Sequence, residues 1–275
     1  MAVRLAELVS YRDLIVNLVV RDLKVRYKSS VLGFIWSLLN PLLMMLVFAL
    51  VFTILFPNSS IPHFPVFLLC GLLPWNFFNT AVMASIGSIV SNAHLVKKVY
   101  FPREILPIST VLSNGVNFLL ALVVLFIMLF VFGVGVTPWV LLLPAIILVQ
   151  TAFTLGLAFI LSTVNVFYRD TTVIMEVIIQ AWFFLTPVFY PMDLLPQQGT
   201  VLGHVLPIQR LVYILNPMAS VIACYRSVLY GSTVGGAPGL PAMDFFVRTA
   251  ITAFVVLVVG YLLFTRYTRV FGEEV

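Results

Sequence analysis

The chain of 275 residues is strongly apolar: 62% of its residues are hydrophobic, 9% are charged, and the formal net charge is +5. This composition, with a mean hydropathy of +1.13, excludes a water-soluble globular domain. A membrane-spanning helix needs about 20 apolar residues, so the length permits several crossings. The apolar runs are continuous rather than alternating, which argues against a transmembrane β-barrel. We therefore predict an all-α polytopic membrane protein.

The first thirty residues are basic and contain no apolar run long enough to cross a membrane. The acidic residues Glu7, Asp13 and Asp22 interrupt the segment, and no small-residue cleavage pattern follows its short apolar stretch. Both features argue against a signal peptide. The segment is instead predicted to form a helix at the cytoplasmic membrane interface, with a simple solvated tail as the alternative.

Six long apolar runs predict six transmembrane helices, at residues 31–56, 64–90, 108–132, 139–164, 173–192 and 246–267. Lysine and arginine concentrate in the N-terminal segment, in the loops after the second and fourth runs, and in the C-terminal tail, whereas the loops at 57–63 and 133–138 have none. The positive-inside rule then places both termini in the cytoplasm. We expect a single domain over residues 1–275, comprising a cytoplasmic interface segment (1–30), five spans (31–192), an external region (193–245) and a sixth span with its tail (246–275).

The external region contains a shorter apolar piece at residues 217–230. About 14 residues are too few to cross the bilayer, so this piece fits a re-entrant or interfacial helix. A folded external cap is the alternative, and the pattern does not distinguish the two.

Motifs for catalysis or cofactor binding are missing from the sequence. It has no Gly-rich phosphate loop, and the histidines His63, His94 and His204 lack zinc-ligand spacing. Cys70 and Cys224 lie among apolar residues, as buried structural thiols do. We therefore expect a protein that is not an enzyme and holds no cofactor, and we expect no nucleic-acid partner. Because the six runs contain almost no ionisable residues, a proton relay is poorly supported and the driving force should come from another subunit.

Aromatic residues crowd the fifth run, where they favour either core packing or a conduit on which sugar rings could stack. The loop at 91–107 mixes positive charges with Val99, Tyr100 and Phe101. A solvated loop has little use for three apolar side chains, whereas a short helix that docks into a partner's groove requires them.

Several motifs occur in a fixed order along the chain: residues 21–28 followed by Leu32-Gly33 and Trp36, then 71–75, 92–107, 168–170, 186–191, and Asn216-Pro217 leading to Tyr225-Arg226. This ordered set resembles the permeases of the ABC-2 type that export cell-surface polysaccharides. Thr186 departs from the pattern, since serine is the more usual residue before that proline.

The resemblance implies a homodimer joined to two copies of a cytoplasmic ABC ATPase, which would bind the ATP and Mg²⁺. The complex would lie in the cytoplasmic (inner) membrane, in contact with membrane lipids, and export undecaprenyl-linked O-antigen, teichoic acid or a capsule-like glycan.

The resemblance also assigns residues to roles. ATPase coupling would fall to Lys97, Lys98, Val99, Tyr100, Phe101, Pro102, Arg103 and Glu104. The cytoplasmic gate would be formed by Arg21, Asp22, Lys24, Arg26, Tyr27 and Lys28. The conduit would be lined by the aromatics Trp36, Trp182, Phe183, Phe184 and Tyr190. Arg210 and Arg226 would contact the lipid diphosphate, because arginine forms strong charge-assisted bonds with phosphate.

Three other classes of function compete with polysaccharide export. An ABC-2 drug exporter shares the architecture but would favour small amphiphiles. A membrane-embedded glycosyl- or acyltransferase would need acidic or histidine pairs near the membrane face, and the sequence offers none. A structural subunit without transport predicts that the coupling loop is dispensable.

Overall fold

The computed structural model describes residues 10–28, 35–51, 61–196, 198–201, 204–231 and 238–275. These residues are mostly helical. The helices, in chain order, are α1 (Arg12–Tyr27), α2 (Trp36–Leu50), α3 (Phe64–Ile86), α4 (Ala93–Lys98), α5 (Ile105–Val131), α6 (Leu143–Phe167), α7 (Thr171–Leu185), α8 (Ile208–Leu215), α9 (Pro217–Leu229), α10 (Met243–Tyr267) and α11 (Phe271–Glu274). Two short antiparallel strands, β1 (Gly199–Val201) and β2 (His204–Leu206), form a hairpin between α7 and α8.

Four helical segments are long and apolar enough to cross a membrane: α3, α5, Pro138–Phe167 (α6 with its preceding 3₁₀ turn) and α10. The pair α8–α9 is bent by 102° and would provide a fifth as a broken span or a re-entrant loop. α7 is apolar but has only 15 residues, and the predicted first span at 31–56 lies partly outside the described residues. A multi-span helical protein is thus confirmed, while the number six stays a prediction.

The fifth predicted span, 173–192, is too long at its C-terminal end. α7 ends at Leu185, and Thr186 is already extended with ψ of 130°. Proline disfavours helical backbone in the residue before it and has no N–H to donate, so Pro187 stops the helix. Residues 186–191 instead form a turn that packs against the rest of the fold.

The first and larger core surrounds α3, which is buried along most of its length and packs against α5, α6 and α9. Pro74 lies inside this continuous helix, and the Gln150 side-chain amide of α6 donates to the Pro74 carbonyl at 2.7 Å. Tyr225 of α9 donates to the Gln150 side-chain oxygen at 2.8 Å. This buried chain of hydrogen bonds joins three helices and satisfies polar groups that would be costly to bury unpaired.

α6 and α10 pack closely because two glycines meet at their crossing. A Cβ built on Gly156 would lie 2.6 Å from the Leu257 backbone nitrogen, and one on Gly260 would overlap the Gly156 carbonyl. Small residues at such crossings let helix backbones approach and gain van der Waals contact, which matters where lipid removes the hydrophobic drive for association.

A second apolar cluster lies at one end of the molecule, where α1, α4 and α11 meet the ends of α5, α6 and α10. Its members include Leu18, Val96, Leu106, Phe264 and Phe271. The described N-terminal helix, the predicted coupling segment and the C-terminal tail therefore lie at the same end of the fold.

Candidate functional site: groove, coupling segment and arginine clamp

A cavity of about 280 Å³ lies among helices α2, α3 and α5, and its lining combines a larger apolar part with several polar side chains. Amide and hydroxyl groups of Asn40, Asn76, Thr80, Asn114 and Asn117 line it, together with the aromatic residues Trp36, Phe77 and Phe118. We call this cavity the amide groove. Amides both donate and accept hydrogen bonds, and aromatic faces need no fixed bonding geometry. The groove can therefore hold a polyhydroxylated ligand.

A second cavity of about 520 Å³ opens beside α1 and adjoins the amide groove, with which it shares Arg26 and Asn114. Its other walls include Arg21 and the hydroxyl residues Ser88, Ser91, Thr110 and Ser113. We call it the basic vestibule. The wall also contains Asp22, which pairs with Arg21, so two guanidinium groups outnumber one carboxylate and the cavity keeps a positive charge that suits an anionic group.

The predicted gate residues lie on or next to α1, where some are bonded to the helix bundle and others are exposed. Arg21 pairs with Asp22 at 2.9 Å and donates to the Asn92 side chain at 3.2 Å. Arg26 donates to Asn114 Oδ1 at 3.0 Å, while Lys24 and Lys28 are exposed. The Tyr27 side chain lies outside the described residues. Arg21 and Arg26 thus join α1 to the helix bundle at the basic vestibule.

The predicted conduit aromatics do not share one surface in the described structure. Trp36 lines the amide groove, whereas Trp182 and Phe183 are half-buried and pack against the larger core. Phe184 is 67% exposed, and its carbonyl accepts a hydrogen bond from the Tyr190 hydroxyl at 3.2 Å. The resemblance implies these residues as a set, but Trp36 lies on α2, and a helix distributes successive residues such as those of α7 around its axis.

The predicted coupling segment, 97–104, is a helix only at its start. α4 ends at Lys98, and Val99 is extended with ψ of 134°. Lys97, Lys98 and Val99 are exposed, and Tyr100 is 93% exposed. We call residues 97–100 the exposed coupling tip. Tyr100 is a large aromatic side chain almost wholly in solvent, and tyrosine is enriched at protein–protein interfaces.

The second half of the segment faces inward. Phe101 packs against the second cluster, Phe101 and Pro102 are both half-buried, and Glu104 is buried. Arg103 donates to the Thr268 carbonyl of the C-terminal tail. These four residues therefore contact the protein's own chain, and only the exposed coupling tip is presented outward.

Arg226, predicted to contact a lipid diphosphate, is buried and clamps the turn after α7. Its Nη1 donates to the Pro187 carbonyl at 2.6 Å and its Nη2 to the Val188 carbonyl at 2.5 Å. Its guanidinium carbon lies 3.8 Å above the centre of the Phe67 ring, a cation–π contact. In this conformation the guanidinium stabilises the turn at residues 186–191. Arg210, by contrast, is exposed on α8.

Asn216 fixes the bend between α8 and α9. Its side-chain oxygen accepts bonds from Trp182 Nε1 at 2.9 Å and from the Ala219 backbone N–H at 3.3 Å. Its side-chain nitrogen donates to the Thr186 hydroxyl at 2.8 Å. One side chain thus caps α9 and joins the bend to the end of α7. Trp182 is therefore a structural donor as well as an aromatic in the fifth run.

α7 is exposed over most of its surface, with only Thr171 and Ile179 buried, and one of its exposed faces carries polar groups. Val173, Glu176, Val177, Gln180 and Phe184 are all exposed and follow one another at helical spacing. Among the described residues, no hydrogen bond or ion pair involves the Glu176 carboxylate or the Gln180 amide. Polar groups on an otherwise apolar membrane helix are costly against lipid.

Sequence reasoning missed the asparagines of the amide groove and the Gln150–Tyr225 bridge. The available indication was the occurrence of asparagine and glutamine inside apolar runs, where polar side chains usually face protein or a watery cavity. Among the described residues, no group of three His, Cys, Asp or Glu side chains is arranged to hold a metal ion.

Comparison with known proteins places these features in a family. Residues 13–230 match the model of the ABC-2 type transporter family. The O-antigen export system permease protein RfbA of Myxococcus xanthus is 39% identical over 237 residues, which cover 86% of this chain and 88% of that protein. RfbA of Klebsiella pneumoniae is 34% identical over 264 residues, covering 95% of this chain and 94% of that protein.

A more distant relative is the polysialic acid transport protein KpsM of Escherichia coli, 25% identical over 256 residues, with 86% of this chain and 88% of that protein covered. The resemblance drawn from the ordered motifs is confirmed. This chain belongs to the ABC-2 type transporter family.

Proposed function

We propose that this chain is the membrane subunit of an ATP-driven exporter that moves a polysaccharide across the cytoplasmic membrane. The observation that carries the proposal is the amide groove, because it places hydrogen-bonding amides beside aromatic rings in one cavity, and a sugar chain can use both. Two kinds of relatives bear names of polysaccharide export, which supports the same substrate class.

The proposed topology has six spans with both termini in the cytoplasm. α2, α3, α5, α6, α7 and α10 correspond to the six apolar runs, and the bent pair α8–α9 would be the external re-entrant element. The distribution of lysine and arginine supports this orientation. The second apolar cluster, with α1, α4 and α11, would then face the cytoplasm.

The working unit is proposed to be a homodimer bound to two copies of a cytoplasmic ABC ATPase, which supplies ATP and Mg²⁺ binding. The exposed face of α7 supports a second copy as its neighbour, since Glu176 and Gln180 would otherwise meet lipid. A conduit between two copies would place these polar groups against water or glycan. The exposed coupling tip supports an ATPase contact at residues 97–100.

The substrate is proposed to be linked to undecaprenyl diphosphate, as O-antigen, teichoic acid or a similar glycan. Arg210 is exposed and could meet the diphosphate on the external side, whereas Arg226 would first have to release the carbonyls of Pro187, Val188 and Tyr190. On the cytoplasmic side, Arg21 and Arg26 in the basic vestibule suit the same anionic group.

The test is co-purification with the ATPase encoded nearest to this gene, followed by ATP hydrolysis measurements in lipid nanodiscs. We expect undecaprenyl-diphosphate-linked glycan from the same organism to stimulate hydrolysis, and Asn76→Leu to reduce that stimulation. Stimulation by small amphiphiles and none by glycan would favour the drug-exporter alternative.

A further inference from the structure

The C-terminal tail folds back under the predicted coupling segment. After α10 ends, residues 268–270 turn and α11 brings Phe271 into the second apolar cluster, where the side chain is fully buried. The Phe271 ring packs edge-on against Phe264 at a centroid distance of 5.2 Å. The tail is therefore part of the packed structure.

α4 depends on this tail for its inner support. α11 packs against α4 and also contacts α6. Val96 is the buried residue of α4, and it belongs to the same cluster as Phe271. The opposite side of the segment carries the exposed coupling tip. The short helix thus lies between the tail inside and the proposed partner outside.

Arg103 connects the same two regions by a polar contact. Its Nη1 donates to the Thr268 carbonyl, and Gly272 is so close that an added Cβ would lie 3.3 Å from Nη2. A hydrogen bond from a charged donor is stronger than a neutral one, so this contact holds the chain after α4 to the tail. A carbonyl at the end of a helix is also where a cation is favoured.

The tail continues directly from α10, whose backbone lies against that of α6 at Gly156 and Gly260. Such a closely packed pair resists deformation and moves as a unit. We propose that α11 is a strut that carries displacement of α4 to the α6–α10 pair, with Phe271 and Arg103 as positioning residues. Displacement of α4 would then be transmitted through α11 as well as through the covalent connections of α4 with α3 and α5.

This proposal depends on the proposed function in one respect only: the ATPase is taken to be the protein that displaces α4. Two measurements separate the ideas. The first is hydrogen exchange of the permease alone, comparing the wild type with Phe271→Ala, Phe271→Leu and the exposed control Glu274→Gln. The strut predicts that Phe271→Ala raises exchange at residues 93–98 by about tenfold while α3 is unchanged. Phe271→Leu and Glu274→Gln should remain close to wild type.

The second measurement is export per ATP hydrolysed in the reconstituted complex with its ATPase. Phe271→Ala should retain the ATPase and its basal hydrolysis but lower export per ATP by about fivefold, as residues in a coupling route do. Rescue by Phe271→Leu would separate positioning from general destabilisation.

Unchanged exchange at 93–98 in Phe271→Ala would overturn the strut, and so would unchanged export per ATP. Failure of the wild-type complex to assemble or to respond to glycan would instead count against the proposed function, because the exchange experiment needs neither.

Discussion

Arg26 donates a 3.0 Å hydrogen bond to Asn114 where the basic vestibule meets the amide groove. The pair links α1 to α5 and lies between the two cavities that we assign to an anionic headgroup and to a sugar chain. It is therefore placed where a gate between them would act.

Replacement of Arg26 or Asn114 should impair the passage of glycan between the basic vestibule and the amide groove. We expect Asn114→Ala and Arg26→Gln to lower glycan export by about tenfold, equivalent to about 1.4 kcal/mol and to one charge-assisted hydrogen bond. Export of surface glycan at matched permease levels is the measurement. Arg12→Gln removes an exposed arginine from the same helix and should export normally; an equal defect there would show that only the charge of α1 matters.

The amide groove predicts a sharp difference between two asparagines of α3. Asn76→Leu should reduce export by about tenfold, because one lining amide is lost and sugar hydroxyls would be left unpaired. Asn79→Leu changes the same residue type on the same helix outside the groove, and we expect less than about a twofold effect. Equal effects of the two substitutions on export would show that the amide groove does not bind the glycan.

Arg226 should matter first for stability. Arg226→Met removes three hydrogen bonds to the 186–191 turn and the contact with Phe67, and we expect the free energy of unfolding to fall by about 2–4 kcal/mol. Thermal unfolding in detergent tests this, with Arg248→Met on the exposed side of α10 as the control. A variant of normal stability that no longer exports would instead favour the diphosphate role.

The crossing of α6 and α10 should not tolerate a side chain at Gly260. Gly260→Ala would overlap the Gly156 carbonyl, and the separation of two helix backbones should cost about 2 kcal/mol or more. Gly87→Ala is a matched control, since an added Cβ there meets no atom within 4 Å. The melting temperatures of the two variants are the measurement, and an equal decrease in both would contradict the tight crossing.

The face of α7 should lie close to its counterpart in a second copy. Gln180→Cys is expected to give a cross-linked dimer with a short bismaleimide in membranes, whereas Leu119→Cys, exposed on α5, should not. The native Cys70 and Cys224 are buried and should not interfere. If Gln180→Cys gives only monomer although its thiol is modified efficiently, the dimer contact lies elsewhere.

Sequence patterns predicted the class of fold and the order of its apolar segments, because hydropathy directly reports the cost of placing residues in lipid. They were less successful at helix ends, where local geometry decides. Thr186-Pro187 ended α7 well before residue 192, and Val99 became extended after only six residues of α4. Proline could have indicated the first of these, whereas residues 97–100 contain no proline or glycine that would have indicated the second.

The same limit applies to the candidate site. Arg226 is predicted to contact the lipid diphosphate because arginine bonds strongly to phosphate, whereas its carbonyl partners at Pro187 and Val188 lie about forty residues away in sequence. Arg103 likewise meets Thr268, which is 165 residues away. Such contacts arise from tertiary packing, so a single sequence does not reveal them.

The most direct test of the account is ATP-dependent translocation in sealed inverted vesicles that contain this permease and its ATPase. Vesicles supplied with undecaprenyl-diphosphate-linked glycan should move the polymer to the interior, where added glycosidase no longer degrades it, and Asn76→Leu should abolish most of this protection. Polymer that stays fully degradable although the assembled wild-type complex hydrolyses ATP would contradict polysaccharide export as the function.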